Sequence, residues 1–187
     1  MVCINLVPHD VNYAEEISKM TSIPEVRKAL GMSDAQCSVA GTRDFIRLMQ
    51  LEERLGQQLS RMIFNEKNQL IGVITLKGID EEQKLCHIGT WLGRPYWGKG
   101  YNQLAKVEIL KIAFERLHLN YVFAGARLEN IRSQKAQAKL PYITLHVERQ
   151  FYTEWKKLEQ QERTPCMLNV VRKEDFLNWY YQDVVAG

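Results

Sequence analysis

A short loop that carries two glycines, one residue apart, constrains the fold of this chain more than any other segment. It runs from residue 97 to residue 102 as Trp-Gly-Lys-Gly-Tyr-Asn, between a strand-like segment at 85–92 and a segment with helical periodicity. Glycine allows a sharp turn in which main-chain N–H groups converge. The unpaired amides and the dipole of the following helix favour an anion, typically a phosphate. The loop therefore predicts a phosphate-binding turn, to which Lys99 adds a positive charge.

Three other interpretations of the loop have to be weighed. A Gly-x-Gly pair by itself is at least as typical of a tight structural turn. A Walker loop is excluded because no Gly-Lys-Ser or Gly-Lys-Thr follows a first glycine at the required spacing. A Rossmann loop fits poorly because the third glycine is missing and the preceding strands form a meander. The segments around the loop must therefore decide between a ligand site and a plain turn.

The segments before the loop predict helices followed by an antiparallel meander. Residues 11–30 fit two short helices, or one helix with a break near Pro24. Thr42 is predicted to cap a further helix that ends around Gly56. Its apolar residues are expected near one face: Phe45, Leu48, Met49, Leu51 and Leu55. The period then changes to that of strands, which are predicted at 61–65, 70–77 and 85–92, with polar turns at 66–69 and 80–84.

Beyond the loop, the pattern predicts a helix of about four turns and then short alternating elements. The helix is marked by Leu104, Val107, Leu110, Phe114 and Leu117. Further strands are predicted at 119–126, 143–151 and 166–171, and short helices at 130–140 and 173–181. The charged stretch 154–163 is interpreted as a solvated hairpin tip. Because no linker or repeat divides the sequence, residues 1–187 are predicted to form a single domain.

Charge and cysteine content exclude several classes of protein. The chain has 25 Lys and Arg residues against 22 Asp and Glu residues, and the net charge of +3 forms no basic stripe, which argues against a nucleic-acid or membrane-surface protein. Cys3, Cys37, Cys86 and Cys166 are far apart and lie near no histidine cluster, so no metal site is expected. No uncharged stretch reaches the length of about 18 residues that a membrane span requires. We expect a cytoplasmic protein with reduced cysteines.

Three segments together resemble the GNAT superfamily of acetyl-coenzyme A-dependent N-acetyltransferases, and its RimJ/RimL-like branch most closely. They are Ile-Gly-Thr-Trp-Leu-Gly at 88–93, Tyr-Trp-Gly-Lys-Gly-Tyr at 96–101 and Glu-Asn-Ile-Arg-Ser at 129–133, in the family's order and spacing. The resemblance covers about residues 63–142. It implies a single α+β domain of the GNAT type, with a mixed, mostly antiparallel central sheet of about seven strands that is flanked by helices and splayed between its two middle strands.

The same resemblance implies acetyl-CoA as the cosubstrate and no metal. In this family the glycine loop holds the coenzyme pyrophosphate through main-chain N–H groups, and the end of the preceding strand meets the pantetheine arm and polarises the thioester carbonyl. Asn130 and Ser133 match the Asn-x-x-Ser that faces the pantetheine and the sulfur, although Asn130 also suits a helix N-cap. The expected coenzyme contacts are Trp91, Leu92, Arg94, Trp97, Gly98, Lys99, Gly100, Tyr101, Asn102, Asn130 and Ser133.

Acetyl transfer to an amine requires a neutral nucleophile, a polarised thioester and a proton for the departing thiolate. Two positions that hold a base or an acid in some GNAT enzymes correspond to Gly125 and Gln137 here. By the resemblance to the RimJ/RimL-like branch, Ser133 is the candidate acid, and Glu148 and His146 are the candidate bases, which strand alternation would place on one face. Catalysis by orientation alone, with water taking the proton, is the alternative.

These features predict an enzyme that moves the acetyl group of acetyl-CoA to a primary amine by direct attack, without a covalent intermediate. Cys86, the cysteine nearest the loop in sequence, is assigned to strand packing. The acceptor is left open between a protein N-terminus and a small amine, and segment 151–163 is expected to select it. A homodimer is also left open. The rival predictions are a catalytically silent coenzyme A-binding module or regulator, and an unrelated nucleotide-binding protein.

Overall fold

Seven strands and eight α-helices make up the part of the chain that the computed structural model describes, residues 2–185. The strands are β1 Ile4–Pro8, β2 Leu59–Asn65, β3 Leu70–Asp80, β4 Leu85–Leu92, β5 Tyr121–Arg127, β6 Ile143–Thr144 and β7 Cys166–Arg172. The helices are α1 Ala14–Thr21, α2 Pro24–Leu30, α3 Asp34–Cys37, α4 Val39–Arg54, α5 Tyr101–Lys111, α6 Ile131–Ala138, α7 Tyr152–Glu162 and α8 Lys173–Trp179. A π-helical turn, Ile112–Arg116, continues α5, and a second, Tyr180–Val185, continues α8.

The strands follow the order β1-β2-β3-β4-β5-β7-β6 in one sheet. Strand β2 is antiparallel to β1 and β3, and β7 is antiparallel to β5 and β6, whereas β4 runs parallel to β5. In the described residues the parallel ladder pairs Leu85 with Tyr121, Cys86 with Val122 and His87 with Phe123. All three pairs lie at the starts of the two strands. The predicted α+β fold with a seven-stranded, mostly antiparallel sheet is confirmed, and the short ladder agrees with the predicted divergence of the middle strands.

The chain divides into two compact units, of which the first comprises Met1–Ile79 and Gly89–Lys111. Its apolar core lies where α1 and α4 cover one face of β2 and β3. The fully buried members of this core are Ala14, Ile17, Ile46, Met62, Phe64, Leu70 and Val73. Burying aliphatic and aromatic side chains of this size stabilises a fold by about 1.5–3 kcal/mol each. The core therefore fixes α1 and α4 on the sheet.

Helix α4 differs from the prediction at its start and in its buried face. The hydroxyl of Ser38 caps the helix by accepting a hydrogen bond from the Gly41 N–H at 3.0 Å. Thr42, the predicted cap, lies inside the helix and is buried together with Ile46 and Met49. Leu48, Leu51 and Leu55 are about half exposed. The predicted face was wrong for these leucines because they project about half a turn away from the side that meets the sheet.

The second unit comprises Asp80–Ile88 and Ile112–Gly187. Strands β5 and β7 pair along their whole lengths. The buried core consists of Leu85, Phe123, Val147, Leu168 and Val170. Helix α7 packs against this core through Trp155 and Leu158, and the indole N–H of Trp155 donates to the carbonyl of Cys166 at 2.8 Å. The helix is therefore held on the sheet by both apolar and polar contacts.

The segment between residues 143 and 163 is organised differently from the prediction. Strand β6 ends at Thr144, and the chain then turns through His146, which has a left-handed φ of +56°. Helix α7 follows, so the predicted strand over 143–151 and the predicted solvated tip at 154–163 were both wrong. The apolar Phe151, Trp155 and Leu158 follow helical spacing and pack on the core. Of the charged residues of this helix, Lys157 is exposed, Lys156, Glu159 and Glu162 are half-buried, and Glu154 is buried.

The elements nearest the glycine loop agree with the prediction. Strand β4 has the predicted bounds, and α5 begins at Tyr101. Helices α1 and α2 divide just before Pro24, as one of the two alternatives required. No element was predicted for Ile4–Pro8, which pairs with β2 as an edge strand. Its five residues contain too few alternations to distinguish a strand from a loop.

Candidate active site

The glycine loop has a backbone conformation that only glycine adopts without strain. Gly98 has a φ of +73° and Gly100 a φ of +86°, both in the left-handed region. A Cβ added at either position would meet no heavy atom within 4 Å. Backbone conformation therefore requires glycine here, and crowding does not. Lys99 lies exposed between the two glycines, and Arg94 is exposed at the start of the loop.

Trp97 holds the loop against the end of β4. Its indole N–H donates a hydrogen bond to the carbonyl of Leu92 at 2.8 Å, and the guanidinium of Arg94 stacks on its ring at 4.8 Å from the centroid. The N–H of Gly93 donates to the carbonyl of Ile71 at 2.8 Å, which ties the same turn to β3. The Trp97 side chain therefore shapes the loop, and the Leu92 carbonyl already accepts one hydrogen bond.

Helix α5 starts directly at the second glycine. The carbonyl of Gly100 accepts hydrogen bonds from the N–H groups of Gln103 and Leu104, at 3.1 and 3.3 Å. The side chain of Tyr101 is buried, and its hydroxyl donates to the carboxylate of Glu66, with both oxygens at 3.1 Å. Burial and this hydrogen bond raise the pKa of Tyr101. The phenol is therefore occupied as an anchor, which leaves the backbone of Tyr101 to meet a ligand.

The end of β4 approaches β3 closely. A Cβ at Gly72 would lie 2.2 Å from the carbonyl oxygen of Trp91, so glycine is required there by space. The Trp91 ring packs on the core of the first unit. The hydroxyl oxygen of Thr90 and the side-chain oxygen of Asn102 are buried and accept no hydrogen bond within residues 2–185. Gly72 and Thr90 were not predicted, because neither carries a local sequence signal.

Asn130 and Ser133 form the first turn of α6. The Oδ1 of Asn130 accepts a hydrogen bond from the Ser133 N–H at 3.1 Å, so Asn130 is the N-cap of this helix. The Ser133 side chain is half-buried, and its Oγ lies 3.3 Å from the Nε2 of Gln137. The cap fixes the backbone of Ser133, and its hydroxyl can still bond to a group other than Asn130 and Gln137.

The structure brings the two candidate bases together, although the strand predicted to align them ends at Thr144. The Nδ1 of His146 lies 3.8 Å from the Oε1 of Glu148. The same carboxylate oxygen accepts a hydrogen bond from the Leu168 N–H at 2.9 Å, and the His146 N–H donates to the Oδ1 of Asn169 at 2.9 Å. The His146 side chain is 69% exposed, so its ring is accessible to water.

Two buried amides connect these candidates, and sequence reasoning missed one of them. Asn169 in β7 is fully buried, and its Nδ2 donates to the Oε1 of Gln137 at 2.7 Å. Gln137 is also buried, and its Nε2 donates to the carbonyl of Gly125 at 3.1 Å. A single asparagine inside the apolar strand Cys-Met-Leu-Asn-Val-Val was the signal that could have found Asn169.

Position 125, which carries a base in some members of the family, is closed by α7. A Cβ at Gly125 would lie 2.3 Å from Cδ2 and 3.0 Å from Cδ1 of Leu158. Leu158 packs on the core of the second unit. A larger side chain at this position therefore requires the Leu158 side chain to move. The absence of a glutamate at Gly125 is consequently part of the packing of α7.

A second ionisable cluster, which the sequence did not reveal, joins β4 to α7. The Nε2 of His87 lies 2.9 Å from Oε2 of Glu154, and Lys157 contacts the other carboxylate oxygen at 2.6 Å. The Glu154 side chain is buried to more than nine-tenths. The hydrogen bond from His87, followed by that from Lys157, lowers the pKa of Glu154 to about 2 despite burial. This carboxylate therefore stays ionised and fixes the His87 ring.

Cys86, the cysteine nearest the loop in sequence, offers no reactive thiolate. Cys86 is buried, and burial raises the pKa of its thiol, which makes the neutral form dominant and the sulfur a poor nucleophile. Cys3, Cys37 and Cys166 are also free thiols. Within residues 2–185, no three His, Cys, Asp or Glu side chains gather as metal ligands would. None of the helices in the described range is both long and apolar enough to cross a membrane.

Comparisons with known proteins agree with the fold. The family model of the acetyltransferase (GNAT) domain matches residues 4–142. The uncharacterized N-acetyltransferase p20 of Bacillus licheniformis is 30% identical over 131 residues, which are 69% of this chain and 72% of the relative. The microcin C7 self-immunity acetyltransferase MccE, solved with acetyl-CoA and AMP, has a TM-score of 0.68 at 22% identity and covers 76% of this chain and 79% of its own. RimL, the ribosomal L7/L12 α-N-protein acetyltransferase, has a TM-score of 0.68 at 19% identity and covers 76% and 77%.

The family model and the N-acetyltransferase relative define a transferase that takes its acyl group from a coenzyme A thioester. The chain belongs to the GNAT acetyltransferase family, and its likeness in fold to RimL is consistent with the RimJ/RimL-like branch. It is an acetyl-CoA-dependent N-acetyltransferase, with acetyl-CoA as the cosubstrate. The individual coenzyme contacts and the acid and base remain predictions.

Proposed function

We propose that this protein acetylates a primary amine by direct attack of the neutral amine on the thioester of acetyl-CoA. The observation that carries the proposal is the loop in which Gly98 and Gly100 both hold left-handed backbone immediately before α5. Such a turn directs main-chain N–H groups and a helix N-terminus at one point, which suits the diphosphate of coenzyme A. The exposed Arg94 and Lys99 add positive charge to the same loop.

The side chains predicted to contact the coenzyme divide into two groups by what they already touch. Trp97 and Tyr101 are held by hydrogen bonds within the first unit, and Trp91 packs on its core, so these residues contribute through their backbone. The exposed Lys99 and Arg94 contribute charge, and the Asn102 side chain retains an unused buried oxygen. We assign main-chain recognition of the pyrophosphate to residues 97–102.

Ser133 is proposed as the acid that protonates the departing thiolate, and the His146 and Glu148 pair as the base. The pair is supported by the distance of 3.8 Å between Nδ1 and Oε1 and by the exposure of the imidazole. A neutral imidazole next to a carboxylate accepts the proton that the amine nitrogen releases as it bonds to the carbonyl carbon, and passes it to water. Direct attack is supported by the burial of Cys86, which keeps the thiol of the nearest cysteine neutral.

The acceptor is proposed to be a protein N-terminus or a small amine, selected by the segment 151–163. This segment forms α7, on which Lys156 stacks over the Trp155 ring at 4.0 Å and Tyr152 is exposed. Aromatic faces recognise cationic amines at close range. A cytoplasmic location, a homodimer and a single acetyl-CoA-binding domain over residues 1–187 stay predictions.

A catalytically silent coenzyme A-binding protein is the second candidate, and one observation favours it. Position 125 is a glycine against which Leu158 packs, so the side-chain base known at this position in other GNAT enzymes is missing. Position 137 likewise holds an amide, which is engaged with Gly125 and Asn169. An acetyltransferase with this arrangement depends on Ser133, on the His146 and Glu148 pair, or on orientation alone.

Release of coenzyme A thiol, measured against a panel of amines and N-terminal peptides, tests the proposal. We expect release above the acceptor-free rate with at least one member of the panel, and a lower kcat for Ser133→Ala at unchanged coenzyme affinity. Calorimetry with acetyl-CoA, CoA and ATP accompanies the assay. Coenzyme binding without release by any amine would support the silent module, and tighter binding of ATP would overturn the acetyltransferase assignment.

A further inference from the structure

A chain of three polar side chains in the second unit runs from β7 to the candidate acid. Asn169 donates to Gln137 at 2.7 Å, and the Nε2 of Gln137 lies 3.1 Å from the Gly125 carbonyl and 3.3 Å from the Ser133 Oγ. Gln137 is 4% exposed and Asn169 is 0% exposed. Burying two amides costs free energy unless their hydrogen bonds are made, so this chain is a fixed part of the fold.

Backbone groups at both ends determine the direction of every hydrogen bond in this chain. The His146 N–H can only donate, so the Asn169 oxygen must face it, at 2.9 Å, and the Asn169 nitrogen must face Gln137. The Gly125 carbonyl can only accept, so the Gln137 nitrogen must face it. These two constraints are independent and agree. The side of Gln137 that faces Ser133 is therefore its NH₂ group.

The orientation of Gln137 decides what the Ser133 hydroxyl can do. A hydroxyl carries one hydrogen and two lone pairs, and here the Gln137 N–H donates to one lone pair. The Ser133 hydrogen cannot point at Gln137 and remains available to another acceptor. The Ser133 N–H is meanwhile fixed by the Asn130 cap at 3.1 Å. Backbone and side-chain contacts together present Ser133 as a hydrogen-bond donor.

The geometry points to Gln137 as a positioning residue that commits the Ser133 hydroxyl to proton donation, with Asn169 holding Gln137 in the required orientation. This inference rests on the proposed function, in which Ser133 is the acid. As the bond between the amine nitrogen and the carbonyl carbon forms, the carbon–sulfur bond breaks and leaves its electron pair on sulfur. The sulfur takes the Ser133 proton. The proton released by the attacking nitrogen returns the serine to its hydroxyl form by way of water.

A double-mutant cycle between Gln137 and Ser133 distinguishes positioning from a merely structural contribution. Gln137→Met keeps the length of the side chain and removes the donor. We expect it to lower kcat about tenfold in the parent, with KM for acetyl-CoA within about twofold, since a general acid contributes about 10²–10⁴ in rate. In the Ser133→Ala background the same substitution should change kcat less than about twofold. An equal loss in both backgrounds would overturn the inference.

Gln134 supplies the matched control on the same helix. Its Nε2 donates to the carbonyls of Arg127 and Leu128 at 3.1 and 2.8 Å, so Gln134→Met removes two hydrogen bonds to backbone without touching Ser133. We expect Gln134→Met to leave kcat unchanged. If Gln137→Met does not fold, Gln137→Glu replaces it, because the carboxylate keeps the shape and presents an acceptor to the hydroxyl. Thermal unfolding of each variant identifies loss of fold.

A titration that needs no turnover separates this inference from the proposed function. In a Ser133→Cys variant, a donor on the sulfur stabilises the thiolate, so adding Gln137→Met should raise the pKa of the new thiol. The measurement is the thiolate absorbance difference against the parent chain. An unchanged thiol pKa would overturn the positioning role even in an active enzyme. A raised pKa with an inactive parent would leave the orientation of Gln137 supported and the proposed function refuted.

Discussion

Replacing Gly98 by valine tests whether the loop is a phosphate cradle or a plain turn. The backbone at Gly98 has a φ of +73°, where an L-residue with a Cβ is strained by about 1–2 kcal/mol. An added Cβ would meet no heavy atom within 4 Å, so the local cost comes from this conformational strain and not from a clash at Cβ. The loop can release it only by leaving the left-handed region. The N–H groups that converge on the pyrophosphate then turn away, and we expect the coenzyme Kd to rise at least about tenfold, or about 1.4 kcal/mol.

Gly78 provides a control with the same backbone strain and the same open space. It has a φ of +57°, lies in β3, and an added Cβ would likewise meet no heavy atom within 4 Å. Gly78→Val should therefore lower the free energy of unfolding by a similar amount, about 1–2 kcal/mol, and leave the coenzyme Kd unchanged. The coenzyme Kd of Gly98→Asn should lie between those of the parent and the valine variant, because asparagine tolerates the left-handed region.

Isothermal titration calorimetry with CoA and acetyl-CoA measures the Kd of each variant, and urea unfolding measures its stability. We expect Gly98→Val to lose coenzyme affinity and Gly78→Val to retain it. A folded Gly98→Val variant that binds coenzyme as tightly as the parent would refute this expectation. The loop would then be the tight structural turn that a Gly-x-Gly pair also predicts.

Three further predictions concern buried ionisable groups. Burial, followed by the charge of Arg61, lowers the pKa of His9 from 6.5 to about 4. The free energy of unfolding should therefore fall by up to about 3 kcal/mol as pH drops from 6.5 towards 4. In urea unfolding, His9→Gln should remove this dependence of the free energy on pH. Hydrogen bonds from His87 and Lys157 lower the pKa of Glu154 from 4.5 to about 2. The free energy of unfolding should therefore fall further as pH drops from 4.5 towards 2, also by up to about 3 kcal/mol, and Glu154→Gln should abolish this second decrease. An unchanged pH dependence in either variant would contradict its assignment. Cys86→Ala should retain kcat within about twofold, since abolished turnover with intact coenzyme binding would indicate a covalent route.

The sequence predicted those parts of the site whose signals are local. The glycine pair, the preceding strand 85–92 and the Asn130 cap each follow from the chemistry of a few adjacent residues, and the structure has all three. The prediction for the segment that forms α7 was wrong because its apolar positions lie among many charged residues, which suggested a solvated tip. Phe151, Trp155 and Leu158 do follow helical spacing, but the prediction gave more weight to the run of charged residues.

Other parts of the site depend on contacts between distant residues and could not be predicted in this way. Asn169 meets Gln137 across 32 positions of sequence, and His87 meets Glu154 across 67. Neither pair leaves a periodic pattern. The buried network of His9, Ser60 and Thr75 is similar, with hydrogen bonds of 2.8 and 2.7 Å that join the residue after β1 to β2 and β3. Such groups are visible from sequence only as polar residues in apolar surroundings.

The contact of Leu158 with Gly125 also constrains how this chain could change over successive mutations. A single exchange of Gly125 for glutamate meets Leu158 at once, because even a Cβ there would lie 2.3 Å from its methyl carbon. The reverse order, with a smaller residue at 158 first, opens the space and loosens α7 before any new carboxylate arrives. The two positions are therefore coupled, because any residue with a Cβ at position 125 requires the Leu158 side chain to move or to be smaller. A change at position 125 is consequently also a change in how α7 packs on the sheet.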